Sequence, residues 1–330
     1  MKKSLIKLSL AVLTLTAVFS LAGCGKSSSK YPSKDIQFYV SADAGGGTDA
    51  ISRKVTQLIE KDKKAKFYLV NKPGVMDSVG PQLVMNADAN GYNIGNVNYS
   101  NAVTAQYQQI VEGYNIDKLR FVCLVTQEAD ALMVSKNAPF QDFKGMIDYA
   151  KAHPGEVRVA DQGIGSRVYL VLNMLEHKYG IKFNKISYQN SAPQREAILN
   201  GEVDMAITSL GDFASLLASG DCKGIVEFSS QRNPTYPDVP TALELGMDKS
   251  FLSGSFLAIV VPKKTSDEVV NYLNDAFKEA VESNDFKEWT KTVGVTAHYM
   301  GPKEVEAYVK DMQKKDFKAL DELKAQGILK

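Results

Sequence analysis

Three consecutive glycines, Gly45–Gly47, separate an alternating apolar run from a helical one, and this pattern restricts the fold more than any other part of the sequence. Positions 36, 38 and 40 are apolar and alternate with polar residues, which predicts a β-strand. Positions 51, 55, 58 and 59 are apolar at helical spacing. A strand that leads into a helix through a tight turn is the building unit of a parallel sheet, so we predict an α/β fold.

The same unit returns at residues 159–170, "VADQGIGSRVYL", where a strand again leads through glycines into a helix. Further strand-like runs alternate with helical segments on either side of it, among them "KFYLV", "GYNIGNVN", "RFVCLV", "ALMVS", "VDMAITS", "GIVEFSS" and "SFLAIVVP". We predict two lobes, the first from residues 35–126 and 252–330 and the second from residues 127–251. The chain would hinge near Leu124–Asp130 and Lys249–Ser255, where it passes between the lobes.

The beginning of the chain predicts export and a lipid anchor. A basic start, an apolar run and the sequence "LAGC" indicate a lipoprotein signal over residues 1–23, with cleavage and diacylation at Cys24. Residues 24–34 are small and polar and predict a flexible tether. The formal net charge is +1, and the first 23 residues hold three lysines and no acid, so the remainder carries −2. This net charge does not indicate a surface that binds nucleic acid.

A glycine turn that opens a helix can bind an anion, because the first helical N–H groups have no partner within the helix and the helix dipole adds positive potential. Thr48 or Asp49 is placed to cap this helix. A dinucleotide phosphate is one candidate, since Gly45, Gly47 and Ala50 fit the relaxed fingerprint. That fingerprint needs an acid after the second strand, where this chain has "NKPG". Two such turns, one per lobe, instead favour a small anion held between them.

Six segments together resemble one family: "ADAGGGTDAISR", "VNKPGV", "NGYNIGN", "AKAHPGEVRVADQGIGS", "SYQNSAPQREAILNGEVDMAI" and "SQRNPTYPDVPTALELGM". The chain resembles the extracytoplasmic substrate-binding proteins of tripartite tricarboxylate transporters, often called the Bug family. The resemblance implies a two-lobed Venus-flytrap fold of the periplasmic-binding-protein type, with a ligand cleft between the lobes. It also implies a monomer without enzymatic activity, cofactor or metal, which delivers a small organic carboxylate to the large and small membrane subunits of a transporter. The protein would be tethered to the outer face of the cytoplasmic membrane.

The resemblance also implies a set of ligand-binding residues that act mainly through backbone N–H groups and hydroxyls. From the first glycine turn it suggests Ala44, Gly45, Gly46, Thr48 and Asp49, of which Asp49 would order the turn. From the second turn it suggests Gly163, Gly165 and Ser166.

The chain departs from the family pattern by three acids in these loops, Asp43, Asp77 and Asp161, and by Arg167 after the second turn. Like charges oppose a polyanion. We expect a ligand with one carboxylate and a cationic or polyhydroxyl part, with Arg167 or Lys72 near the carboxylate. The alternative is that these acids face solvent or cap helices.

Other functional classes have less support in the sequence. An exported hydrolytic enzyme would need a nucleophile and a base near the turns, and no such pair is evident. A binding protein that serves a sensor or another transporter stays open, as does a disulfide between Cys123 and Cys222. "TSDE", residues 265–268, predicts a capping box for a following helix, and the helices from Pro302 onward are expected to cover the first lobe.

Overall fold

The computed structural model describes residues 31–62, 64–109, 111–188 and 191–329. Residues Lys34–Lys330 form one compact folded unit. The predicted signal segment, Cys24 and residues 24–30 of the tether lie outside the described residues.

The folded unit is a mixed sheet with helices on its faces. Its strands in the described residues are β1 (Ile36–Val40), β2 (Phe67–Asn71), β3 (Asn93–Val97), β4 (Leu119–Ser135), β5 (Arg158–Asp161), β6 (Asn184–Ser187), β7 (Met205–Ser209), β8 (Cys222–Glu227), β9 (Gly254–Pro262) and β10 (Thr296–Met300). The α-helices of six or more residues are α1 (Gly47–Lys61), α2 (Val79–Met85), α3 (Phe143–Ala152), α4 (Arg167–Tyr179), α5 (Ser191–Leu199), α6 (Ala214–Ser219), α7 (Asp267–Glu282), α8 (Asn284–Thr292) and α9 (Pro302–Ala325).

The strands form two groups that share β4. In the first lobe the order is β2-β1-β3-β9-β4, and β10 pairs with the other edge of β4; β1, β2 and β3 run parallel. In the second lobe β4 lies between β7 and β8, and β5 runs parallel to β6 and β7. The carboxyl ends of the parallel strands are where ligand loops collect in such sheets. The α/β prediction is confirmed, and the residue boundaries of the lobes stay a prediction.

The long strand β4 corrects one detail of the sequence analysis, which expected "RFVCLV" and "ALMVS" to be separate strands. They form one strand of 17 residues. The polar stretch between them stays in the sheet because β9 pairs with it up to Ala129, and Asp130 pairs with Ser209 of β7. β4 is therefore one continuous strand that pairs with strands of both lobes.

Each lobe has its own apolar core. The first packs residues such as Val97, Leu124 and Val260 against α9, and the second packs residues such as Leu132 and Val159 against α3 and α4. Cys123 and Cys222 are both buried and free, so no disulfide joins them. Within the described part of the chain, no helix is both long and apolar enough to cross a membrane.

Helix α9 does more than cover the first lobe. Its Val305 and Val309 pack into the first core, as expected. Its other end carries Leu320 and Leu323, which pack with Leu170 of α4 in the second lobe. The helix therefore packs against both lobes.

Candidate functional site

The first glycine turn leaves the carboxyl end of β1 and opens α1. Gly45 has a φ of +83°, in the left-handed region that favours glycine. The N-cap of α1 is Gly46, and no side chain caps it, so the expectation that Thr48 or Asp49 would cap this helix is wrong. The predicted residues Asp43, Ala44, Gly45 and Gly46 are exposed, and Thr48 is half-buried.

The buried side chain of Asp49 instead stabilises this turn through hydrogen bonds. The side chain is buried, and its Oδ2 accepts hydrogen bonds from Gly45 N at 2.9 Å and Arg53 Nε at 3.0 Å. Its Oδ1 accepts from Asn71 Nδ2 at 2.9 Å. Burial raises the pKa of Asp49, but hydrogen bonds from Arg53, Gly45 and Asn71 outweigh it and hold the pKa below its usual value. The Asp49 carboxylate therefore stabilises the turn, and it occupies the N–H group of Gly45.

The second glycine turn leaves β5 and opens α4 in a similar way. Gly163 has a φ of +93°, and its N–H donates to Asp161 Oδ1 at 2.7 Å. Ser166 is the N-cap of α4 and accepts from Tyr169 N at 3.3 Å. Gly165 is buried, and a Cβ added there would lie 3.5 Å from Gln108 Nε2 of the first lobe. The backbone of this turn therefore approaches the first lobe closely.

Arg167, at the start of α4, is engaged by the strand that connects the lobes. Its Nε lies 3.1 and 3.0 Å from the two carboxylate oxygens of Asp130, and its NH2 lies 2.9 Å from Oδ1. Asp130 is fully buried and also accepts from Ser253 Oγ at 2.6 Å. The guanidinium lies 5.8 Å from the ring centre of Tyr99, at the end of β3. Arg167 thus joins the second turn to the interlobe strand and the first lobe.

The three acids that depart from the family pattern, Asp43, Asp77 and Asp161, differ in burial and in hydrogen-bond partners. Asp43 is exposed. Asp77 has a left-handed backbone, with a φ of +58°, and its Oδ2 accepts from Asn98 Nδ2 at 2.9 Å. Burial, with a contribution from the charge of Asp43, raises the pKa of Asp77. Asp161 is fully buried, and Ser187 Oγ donates to its Oδ1 at 2.7 Å.

Two groups beside these turns were not predicted from the sequence. One is the asparagine set at the end of β3, where Asn96 Nδ2 donates to Ser41 Oγ at 2.7 Å and Asn101 Nδ2 donates to Asp77 O at 3.1 Å. The repeated asparagines of "GNVNYSN" were the available signal. The other is half-buried Glu128 of β4, whose pKa burial raises to about 7, aided by the charge of Asp212.

The site therefore consists of two backbone turns at strand ends, one on each lobe, beside a buried network of charges on the connecting strand. Among the residues that the structure describes, no group of three or more His, Cys, Asp or Glu side chains is arranged to hold a metal ion. A turn of this kind offers N–H donors to an anion.

Comparisons with known proteins show the family and the fold of the chain. The profile of the TctC family, the tripartite tricarboxylate transporter family receptor, matches residues 51–324. BugT of Bordetella pertussis is 25% identical over 288 residues, which cover 86% of this chain and 88% of BugT. A ligand-free TctC solute binding protein from Polaromonas has a TM-score of 0.76 and 25% identity, covering 88% of this chain and 99% of its own. MatC from Rhodopseudomonas palustris, with bound malate, has a TM-score of 0.70 and 23% identity, covering 88% of this chain and 100% of its own.

The family and the fold are those of a solute-binding protein of the periplasmic type rather than an enzyme. Since the family profile covers most of its length, the chain belongs to the tripartite tricarboxylate transporter family receptors. The family predicted from the sequence is confirmed.

Proposed function

We propose that this receptor captures a small organic carboxylate between its two glycine turns and delivers it to the large and small membrane subunits of a tripartite tricarboxylate transporter. The observation that supports the proposal is the pair of turns at the carboxyl ends of β1 and β5. Each turn opens a long helix and is fixed in shape by a buried aspartate. Preorganised N–H donors on both lobes suit a carboxylate.

Capture would work by a shift of population between open and closed arrangements. A ligand that contacts both turns favours the arrangement in which they approach each other, because only then can it form both sets of hydrogen bonds. In this proposal Ala44, Gly46 and Thr48 contribute from the first turn, and Gly165 and Ser166 from the second, because Asp49 and Asp161 already accept the N–H groups of Gly45 and Gly163. Residues Leu124–Asp130 and Lys249–Ser255 form the hinge in this proposal.

The proposal also includes the cellular location of the protein. The signal pattern before Cys24 supports a diacylated protein held at the outer face of the cytoplasmic membrane. A labelled-palmitate incorporation assay on wild type and Cys24→Ala tests this point. Label that persists in the variant would contradict the anchor.

The ligand is tested by thermal shift and calorimetry on a chain that begins at Ser27. The panel contains dicarboxylates, citrate, hydroxy acids, amino acids and aromatic acids. A ligand at a hundred times its Kd stabilises the folded state by about 2.7 kcal/mol, which is a shift of a few degrees. If no carboxylate shifts Tm, and mass spectrometry of the denatured protein finds none co-purified, the proposed function is wrong. If a carboxylate binds but deletion of the membrane subunits leaves its uptake intact, the ligand serves a sensor or another transporter.

A further inference from the structure

A small apolar cluster joins the last turns of α9 to the beginning of α4. Its buried members are Leu170 of α4 and Leu320 and Leu323 of α9, and the partly buried Leu329 packs against them. None of the three buried leucines is part of the apolar core of either lobe. We call these four residues the interlobe cluster, because α4 packs into the core of the second lobe and α9 into that of the first.

The last turns of α9 are held to the first lobe by side-chain contacts. Tyr107 OH donates to Asp321 Oδ1 at 2.7 Å, and the ring centre of Tyr107 lies 5.3 Å from that of Phe317. Gln313 Nε2 donates to the backbone oxygen of Ala102 at 2.6 Å. Tyr107 and Ala102 follow β3 of the first lobe. The end of α9 is therefore bound to the first lobe, and the interlobe cluster is its contact with the second.

The interlobe cluster can separate without breaking a hydrogen bond. Leucine side chains have no polar atoms, so the burial of apolar surface alone holds them together. The boundary between the lobes is different at β4, where Gln127–Ala129 pair with Gly254–Phe256 of β9 within the sheet. A movement of the lobes would therefore bend these paired strands and separate the leucines.

The interlobe cluster is also next to the second glycine turn. A Cβ added at Gly165 would lie 3.5 Å from Leu329 Cδ1 and 3.8 Å from Leu320 Cδ2. The backbone N–H of Leu170 donates to the oxygen of Ser166, the N-cap of α4, at 3.1 Å. Separation of the cluster would thus move the second turn away from the end of α9.

We propose that the interlobe cluster is a latch, which holds the two lobes together when no ligand is bound and opens when the lobes separate. Opening exposes three buried leucines to water, so the latch lowers the population of the open arrangement. A ligand that contacts both turns favours the same arrangement as the latch. The inference goes beyond the proposed function, because it shares with it only the movement of the lobes and does not depend on which ligand binds.

The distance between the lobes in the ligand-free protein tests the latch. Gln57 of α1 and Lys151 of α3 are partly or fully exposed positions on the first and second lobes. Each is replaced by p-azidophenylalanine for spin labelling, so that no cysteine is labelled. Pulsed electron–electron resonance is then measured on the full-length protein in detergent, after unfolding in urea and refolding have removed any bound ligand. Wild type should give mainly the short distance that corresponds to closed lobes.

Two substitutions weaken the latch from its two sides. Leu170→Ala and Leu323→Ala should each raise the ratio of the long to the short distance at least about tenfold, because truncation of a buried leucine typically costs more than the free energy of a tenfold change. Leu172→Ala is the matched control, since it makes the same change on α4 in a leucine that packs into the second core. It should leave the ratio unchanged. Leu329→Ser alters a partly buried residue and should shift the ratio in the same direction by a smaller factor, even if the buried variants do not fold.

Three results would refute the latch. Ligand-free wild type gives mainly the long distance, the substitutions in the interlobe cluster leave the ratio unchanged, or Leu172→Ala shifts the ratio as much as Leu170→Ala does. Each of these results leaves the carboxylate receptor standing, because no ligand enters the experiment. Conversely, a ligand panel without a hit would overturn the proposed function and leave the distances, and the latch, as measured.

Discussion

The contact between Gly211 and Gly294 allows a sharp test of how the lobes depend on each other. Gly211 follows β7 of the second lobe, and Gly294 precedes β10 of the first. A Cβ added at Gly211 would lie 2.6 Å from the carbonyl carbon of Gly294 and 2.9 Å from its Cα, with the carbonyl oxygen closer still. The backbone of Gly211 is outside the left-handed region, so Gly211→Ala adds a clash without adding backbone strain.

The size of the effect follows from these distances. Ordinary contacts begin near 3.4 Å, so the two backbones must separate by about 1 Å, and such overpacking typically costs about 1–3 kcal/mol. If the ligand needs the lobes in this arrangement, the same energy appears as a Kd raised by about 5- to 150-fold. No residue of either glycine turn is altered by the substitution.

The assay is calorimetry with the ligand that the panel identifies, together with urea unfolding. Gly301→Ala is the matched control, because a Cβ there would have its nearest neighbours, Glu304 and Tyr299, at 3.5 Å. Gly211→Ala should weaken binding while Gly301→Ala leaves it within about twofold. A Kd for Gly211→Ala equal to that of the control would refute the coupling between this contact and ligand binding.

Three further substitutions test the charged groups. Arg167→Met should lower the free energy of unfolding by about 3–5 kcal/mol, because it leaves the buried carboxylate of Asp130 without its cation; urea unfolding measures this, and Arg167→Met with Asp130→Asn should recover part of the loss. Glu128→Gln tests pH dependence by paired unfolding curves from pH 5 to 8. The pKa of Glu128 is raised to about 7 in the folded state, so its contribution to stability is present below its ordinary pKa and is lost as the pH rises through 7. As the pH rises from 5 to 8, the free energy of unfolding of Glu128→Gln should increase relative to that of wild type, by as much as about 3 kcal/mol at pH 8. Parallel curves for the two proteins would contradict the raised pKa of Glu128. Asp49→Asn should cost about 1–3 kcal/mol, with faster amide exchange at Gly45, and unchanged exchange would show that the first turn does not need this anchor.

The sequence predicted the regular elements well because apolar periodicity reports burial directly. The helix after residue 265 buries Val270, Leu273, Phe277 and Ala280 as expected. Its cap is one residue later than predicted, since Ser266 accepts from Val269 N. Local sequence signals are enough to predict such a helix, but they leave its first residue uncertain by about one position.

What the sequence did not show depends on residues far apart in the chain. The segment "TQEAD" within β4 is polar, and a periodicity argument ends a strand there. It remains a strand because Arg167 neutralises Asp130 and β9 supplies hydrogen-bond partners. Likewise, the sequence left open whether Asp161 lies near the ligand or faces solvent, and in the structure it is buried and accepts hydrogen bonds from Gly163 and Ser187. Ser187 is distant from Asp161 in the sequence, so the direction of this side chain depends in part on a contact that the neighbouring residues do not reveal.

The two turns share a construction that bears on which ligands they can hold. In each, a buried aspartate accepts the N–H of a left-handed glycine, Gly45 or Gly163, and so holds the turn in shape. Each anchor also places a negative charge beneath the surface that would receive an anion. In the first turn Arg53 balances that charge. In the second turn Asp161 has no such partner among the described residues. A dianion would therefore meet more repulsion at the second turn than at the first.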